Sequence, residues 1–416
     1  MLKTIPFKIS YLCISVYLFS GITTVPAQSP DSLVQSLIMQ TNLDTLTRYL
    51  NILSGEQSAM INGQPATITS RYAGHAHNDL AADYLFETLQ KTGLSTYNQN
   101  YSAGGRNVYA VQTGSTFPDQ QIIVCAHYDD LPSIGLAPGA DDDGSGSVTV
   151  LETARILSQI QTPYTIIYAL WDEEESGRVG STYYAQQAAQ AGENIIAVVN
   201  LEMLGWDSNN DGLMDIHTGP VANSVQLANL VDDLQNIYTL GLSPVIYNPG
   251  TPFSDHRSFW DQGYTAIAFS QAFYYGIDLN PYYHTSNDRI IHFNMDYFYA
   301  MAKLAVASVA HLSHYNMLLE ISQDPLPVSE DIILTQNYPN PFNPTTTIVF
   351  DLPSSHYTTL AIYNILGENV ATLVANQLSA GKYQYVWNAA GLPSGLYLYR
   401  LVAGNTIQVR KMILVE

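Results

Sequence analysis

Three nearly continuous apolar runs constrain this chain more than any other feature: "IIVCA" at 122–126, "YTIIYALW" at 164–171 and "IIAVVNLEM" at 195–203. A strand that covers one face of a sheet alternates apolar and polar residues, whereas an apolar run suits a strand buried on both faces. Between the first two runs lies "SVTVLETARIL", where Val148, Leu151, Ala154 and Leu157 recur at helical spacing. Strand, helix, strand, helix, strand in that order implies an α/β fold. The expected architecture is a mixed, largely parallel central sheet flanked by helices.

Upstream, residues 31–52 read as helical, with Leu33, Leu37, Leu43, Leu46 and Leu50 in register. "NDLAADYLFETLQKTG" is a stronger helix, with Leu80, Tyr84, Leu85 and Leu89 on one face and Gly93 as the stop. The texture changes near residue 325, where "SQDPLPVSED" reads as a linker. Beyond it, short alternating segments separated by turn residues imply a small β-sandwich, Ile348, Phe350 and Leu352 sharing one side of a strand. The expected division is 1–27 as signal peptide, 28–324 as the large domain, 325–331 as linker and 332–416 as the sandwich. Residues 28–70 fit either a removable pro-segment or a helical cap.

The N-terminus carries Lys3 and Lys8, an apolar stretch from about residue 9 to 22, and the small-residue pattern Val25-Pro26-Ala27. That pattern implies a cleaved secretory signal, because the stretch is too short and too broken to anchor the chain in a bilayer. With Cys13 in that signal, Cys125 has no partner for an intrachain disulfide and reads as a buried, inert thiol. The 36 acidic against 15 basic residues argue against a nucleic-acid partner, which needs clustered cations.

In open α/β sheets, ligands gather outside the C-terminal ends of the strands. The first run ends in "HYDD", with His127 and Asp129. The second ends in "DEEE", which crowds Asp172, Glu173, Glu174 and Glu175, and the third carries Glu202. "PGADDDGSGS" adds Asp141, Asp142 and Asp143 before a helix, and "YYHTSND" adds His284 far downstream. Two imidazoles and three carboxylates make a poor structural zinc cage, which favours cysteine. They suit two divalent ions sharing a bridging carboxylate and activating a water. Adjacent glutamates in "EEE" can supply one ligand and one base for the water's proton.

The ordered blocks "AHYDD", "PGADDDGSGS", "WDEEESGRVGS", "NLEMLGWDS", "SDHRSFWDQGYTAIAF" and "YYHTSND" resemble the two-zinc aminopeptidases of peptidase clan MH, of the aminopeptidase Y type, over roughly residues 70–315. The resemblance implies a zinc held by His127, Asp142 and Glu202 and a second held by Asp142, Glu175 and His284, with Asp142 as bridge. It further implies Glu174 as general base, Asp129 as the acid that orients His127, and Tyr283 as a stabiliser of the oxyanion. Glu202 departs from many relatives, which carry the shorter Asp there. The implied partners are peptides or proteins with a free N-terminus. A glutaminyl-cyclase-like transferase with one zinc, a carboxypeptidase or dipeptidase on the same fold, and a non-catalytic binding module are the alternatives.

Two further readings stand outside that set. "DSNNDGLMD" puts Asp207, Asn209, Asp211, Gly212 and Asp215 at successive ligand positions of a calcium loop, but Thr218 stands where the bidentate Glu belongs. An Asx-rich turn is the competing explanation. Residues from about 332 to 416, through "LTQNYPNPFNPTTTIVFDLP", "LAIYNILGENV" and "KMILVE", resemble the sorting domain of the type IX secretion system. That resemblance implies contact with the secretion machinery, export through periplasm and outer membrane, and a secreted or cell-surface product with no permanent membrane anchor; a carbohydrate-binding module is the alternative.

Overall fold

The computed structural model describes residues 30–315 and 332–415, apart from 103, 220, 275, 276, 338, 339, 379, 380 and 405. The expected signal peptide at 1–27 and the linker at 325–331 lie outside the described residues.

The expected single helix at 31–52 is two, α1 (Ser32–Ile38) and α2 (Leu43–Leu53). The break falls at Asn42, whose side chain accepts the Thr45 N–H at 2.8 Å and so starts a new helix. A small hairpin, β1 (Ala59–Ile61) and β2 (Gln64–Ala66), leads to α3 (Ala76–Gln90). Then come β3 (Ser95–Asn100), β4 (Arg106–Gln112), β5 (Phe117–His127), α4 (Gly146–Leu157), β6 (Tyr164–Trp171), α5 (Val179–Ala191) and β7 (Asn194–Glu202). The large unit closes with β8 (Leu213–His217), α6 (Ser224–Tyr238), β9 (Ser243–Tyr247), α7 (His256–Trp260), β10 (Ala266–Gln271) and α8 (Met295–His314).

β3 to β10 form one eight-stranded sheet in the order β3-β4-β6-β5-β7-β10-β8-β9. The four central strands, β6, β5, β7 and β10, are parallel, as are β8 and β9; the remaining pairings are antiparallel. The apolar runs are therefore the middle of the sheet. Period-two geometry sends Ile122, Val124 and Ala126 of β5 to one face, packed with α4 and α8 through Val148 and Phe298. Ile123 and Cys125 go to the other face, packed with Tyr184 of α5 and Phe259 of α7. Each fully buried large apolar side chain there contributes roughly 1.5–3 kcal/mol.

α1 and α2 bury Leu37, Leu46, Leu50 and Leu53 in the core that also holds α4 and α8. No described helix is long and apolar enough to cross a membrane. The second unit comprises β11 (Ile333–Leu334), β12 (Thr345–Leu352), β13 (His356–Asn364), β14 (Asn369–Leu378), β15 (Gly381–Asn388), β16 (Gly395–Ala403) and β17 (Thr406–Leu414). They form two antiparallel sheets, β11-β12-β15 and β14-β13-β16-β17, around their own core of Phe350, Trp387 and Tyr399. As the alternation implied, Ile348, Phe350 and Leu352 all face inward.

Candidate metal centre

The parallel strands deliver the site from one edge of the sheet. His127 is the last residue of β5 and Glu202 the last of β7, while Asp172–Glu175 follow β6 directly. Asp141–Asp143 lie in the turn that opens α4, and His284 lies in the loop between β10 and α8. Asp142 faces both imidazoles. Its Oδ1 is 3.2 Å from His127 Nε2 and its Oδ2 is 3.0 Å from His284 Nε2. Glu202 Oε1 stands 3.5 Å from His127 Nε2, and Glu175 Oε1 stands 3.0 Å from His284 Nε2.

Among the described residues, donor atoms converge within 4.8 Å in two groups, His127–Asp143–Glu202 and Asp142–Glu175–His284. The first contains Asp143, which the sequence reading did not put among the ligands. One Asp143 oxygen already accepts the N–H groups of Gly146 at 3.0 Å and Met203 at 3.2 Å. Asp142 is the carboxylate that offers one oxygen to each group.

The charge balance of the cluster fits divalent cations. Asp142 Oδ2 and Glu175 Oε1 are buried and both stand 3.0 Å from the same His284 nitrogen, two acceptors for at most one ring N–H, a costly state unless something else binds them. Burial raises Glu174 well above the ordinary glutamate value, Asp255 and Glu202 adding repulsion while His127 opposes it. Burial and then Asp142 lift Glu175 to about 7. Although burial alone acts to raise it, hydrogen bonds from His127 and His284 hold Asp142 below the usual carboxylate range. Against its own burial, His284 is raised to about 10 by Asp142 and Glu175, and His127 is raised by Glu202, Asp129 and Asp142. Imidazoles drawn toward protonation by surrounding carboxylates mark a place that demands positive charge, and metal binding meets that demand by displacing protons.

The supporting contacts are dense. Asp129, fully buried, accepts the backbone N–H of Glu174 at 2.9 Å and of Glu175 at 3.1 Å. Its carbonyl lies 3.1 Å from His127 Nδ1 and its carboxylate 3.4 Å, which leaves Nε2 free to face Asp142. Ser254 donates to Glu202 Oε2 and itself receives Asn200 Nδ2 at 2.8 Å, so the long arm of Glu202 is pinned and its Oε1 turns to His127. Asp288 accepts the N–H groups of Asp141 and Asp142 at 3.0 Å. Asp141 in turn accepts Gly205 N–H, Gln271 Nε2 and Asn280 Nδ2. Sequence reasoning missed Ser254, Asp288, Gln271 and Asn280; Ser254, which opens "SDHRSFW", and Asp288, in the same "HTSND" stretch as His284, were within reach. Glu173, Met203 and His284 all adopt left-handed backbone, with φ of 59°, 53° and 58°, a strain that clusters at functional sites.

Tyr283 is half-exposed and stacks on His284, with ring centroids 3.7 Å apart. Arg257 pairs with Asp261 at 2.7 Å on the surface. The calcium reading meets a different arrangement. Asp207 caps the N–H groups of Asp211 and Gly212, and Asp211 caps Leu213. Asp215 lies in β8 and accepts Tyr274 N–H at 2.8 Å, and the three acids do not converge as a donor group. These are the bonds of an Asx-rich turn, in which Asn209 also caps Asp211.

A parallel-centred α/β sheet with two groups of carboxylate and imidazole donors at its C-terminal edge defines a hydrolase of the metal-dependent class. Residues 107–309 match Peptidase family M28, and residues 336–416 match the Secretion system C-terminal sorting domain. The chain carries an M28 peptidase domain followed by that sorting domain. It is 29% identical over 266 residues to Leucine aminopeptidase 1 of Ajellomyces capsulatus, covering 59% of this chain and 67% of the relative. Its fold is similar to that of a zinc aminopeptidase from Bacillus subtilis, with a TM-score of 0.55 and 16% identity over 66% of this chain and 96% of the other. It is also similar to that of a glutaminyl cyclase from Porphyromonas gingivalis, with a TM-score of 0.53 and 19% identity over 66% of this chain and 99% of the other.

Proposed function

We propose that the chain is a secreted zinc aminopeptidase that removes residues from the free N-terminus of peptides or proteins. The observation that carries this is the Asp142 carboxylate, one oxygen toward each imidazole, with Glu175 and Glu202 completing the two sides. Two zinc ions suit the donor set: His127, Asp142 and Glu202 for one, Asp142, Glu175 and His284 for the other. Bound there, they supply a water of lowered pKa and positive charge for a developing oxyanion.

The protein's own residues do the rest. Glu174, kept protonatable by burial, accepts the proton of the attacking water and returns it to the leaving amine. Asp129 holds the backbone of Glu174 and Glu175 and the ring of His127 together. The Tyr283 hydroxyl, at the mouth of the site, donates to the carbonyl oxygen as it gains charge. The acid-rich site favours a substrate with a free α-ammonium group.

In this reading residues 1–27 are a signal peptide and 28–324 the catalytic domain, with α1 and α2 a lasting part of it because their leucines share its core. Residues 325–331 form the linker, and 332–416 direct export through periplasm and outer membrane by contact with the secretion machinery. A one-zinc glutaminyl-cyclase-like transferase shares the fold, and the second donor group around His284 weighs against it. The deciding experiment is digestion of peptides with free and with blocked N-termini, with and without chelator. Cleavage confined to free N-termini and abolished by chelator is expected; cleavage of blocked peptides overturns the reading.

A further inference from the structure

Asn280 is a neutral side chain buried to 3% exposure in the loop that carries His284, and both ends of its amide are engaged. Nδ2 donates to Asp141 Oδ2 at 2.7 Å, one position before the bridging Asp142. Oδ1 accepts Tyr282 N–H at 2.9 Å, and the backbone carbonyl accepts Tyr283 N–H at 3.2 Å. A carboxylate acceptor at one end and a backbone donor at the other fix which way the amide points. Asn280 therefore opens the tight turn that leads into His284 and ties that turn to the segment presenting Asp142.

The far end of the tie is itself anchored. Asp141 Oδ2 also accepts Gln271 Nε2 at 2.8 Å, and Oδ1 accepts Gly205 N–H at 2.8 Å, which joins it to the end of β10 and to the loop after β7. A second grip lies on the other side of His284. Asp288 accepts the N–H groups of Asp141 and Asp142 at 3.0 Å, and its carbonyl accepts Ala140 N–H at 3.1 Å. Between the two grips His284 adopts left-handed backbone, φ 58°, a conformation that a residue other than glycine keeps only where its surroundings hold it. His284 Nε2 thereby stands 3.0 Å from Asp142 Oδ2. His127 needs no such tie, because it ends β5 and is oriented by Asp129.

We infer that Asn280 is a positioning residue for the His284 side of the metal centre: through Asp141 it sets the separation of His284 from the bridging Asp142, and it leaves the His127 side alone. The inference rests on the two-zinc reading. Groups that orient a metal ligand from behind typically contribute about 10–100-fold to metal affinity. Here the group acts on a whole turn rather than on the imidazole directly.

The test withdraws zinc from the full chain with a chromogenic chelator, in wild type, N280A, N280S and H284A. Serine can still accept Tyr282 N–H and keep the turn, but it is too short to reach Asp141. Two zinc steps are expected in the wild type and one in H284A. In N280A and N280S the step that H284A lacks is expected to weaken by about 10–100-fold, while the other is unchanged. A general loosening of the fold would weaken both steps together, so the selective loss is the signature of positioning. Two steps of wild-type strength in N280S, or equal weakening of both, overturns the inference and leaves the two-zinc reading standing. Fewer than two steps in the wild type overturns that reading and the inference with it. Should N280A fail to fold, N280S, which keeps the turn, decides.

Discussion

The carboxylate of Asp129 accepts the backbone N–H of Glu174 at 2.9 Å, so the residue two positions beyond His127 fixes where the candidate base stands. The same carboxylate reaches Glu175 N–H at 3.1 Å and lies 3.4 Å from His127 Nδ1. Replacing it with asparagine sets an amide NH₂ against one of those N–H groups. For D129N we expect roughly a 10–100-fold loss of zinc affinity, read by competition with a chromogenic chelator, alongside the loss of activity. Unchanged zinc affinity would show that the two strand ends hold the site without Asp129.

Glu174 is the proton carrier of the proposed reaction, and glutamine keeps its shape without its basicity. E174Q is expected to lower kcat by about 10²–10⁴-fold with KM and zinc content near wild type. Wild-type kcat in a zinc-loaded E174Q protein removes Glu174 from the role.

Arg71 is fully buried, and its guanidinium donates to the carbonyls of Tyr128, Pro138 and Gly139 and pairs with Asp130 at 3.2 Å. It also reaches Leu53 at 3.2 Å, so it joins the end of α2 to the exit of β5 and to the turn before Asp141. R71M leaves Asp130 buried without its cation, which costs roughly 3–5 kcal/mol. That is a fall of about 10 °C in melting temperature, read by calorimetry. A shift of a degree or two would mean that the N-terminal segment is attached only loosely, as a removable pro-segment would be.

His311 on α8, away from the metal centre, is lowered to about 4, chiefly by burial and further by His314, with Asp31 opposing. The unfolded chain takes up this proton near pH 6.5 and the folded chain only near 4. Between those values the unfolded state binds more protons, so stability rises with pH there and is lost as pH falls from 6.5 to 4. The full effect is on the order of 3 kcal/mol. H311Q is expected to flatten part of the melting temperature's decline over that window; a decline parallel to wild type would contradict the assignment.

The sheet was legible because its central strands are apolar at nearly every position, and little else in a sequence reads that way. The donors were legible because each stands at the end of such a strand or in a run of acids next to one. What joins them was not. Ser254 meets Glu202 across 52 positions and Asp288 meets Asp141 across 147, and no local pattern announces either contact. "DSNNDGLMD" shows a pattern that spacing alone does not decide, since spacing that suits a cation suits backbone capping equally well. Asn42 shows another: leucine spacing runs on through the break, and only the capping side chain reveals that one helix ends and another begins.

Elemental analysis of the folded, purified catalytic domain within the full chain tests the central claim most directly. Two zinc ions per chain, with one lost selectively in H284A, is the result the account requires. No bound metal, and none taken up from micromolar zinc, would contradict it.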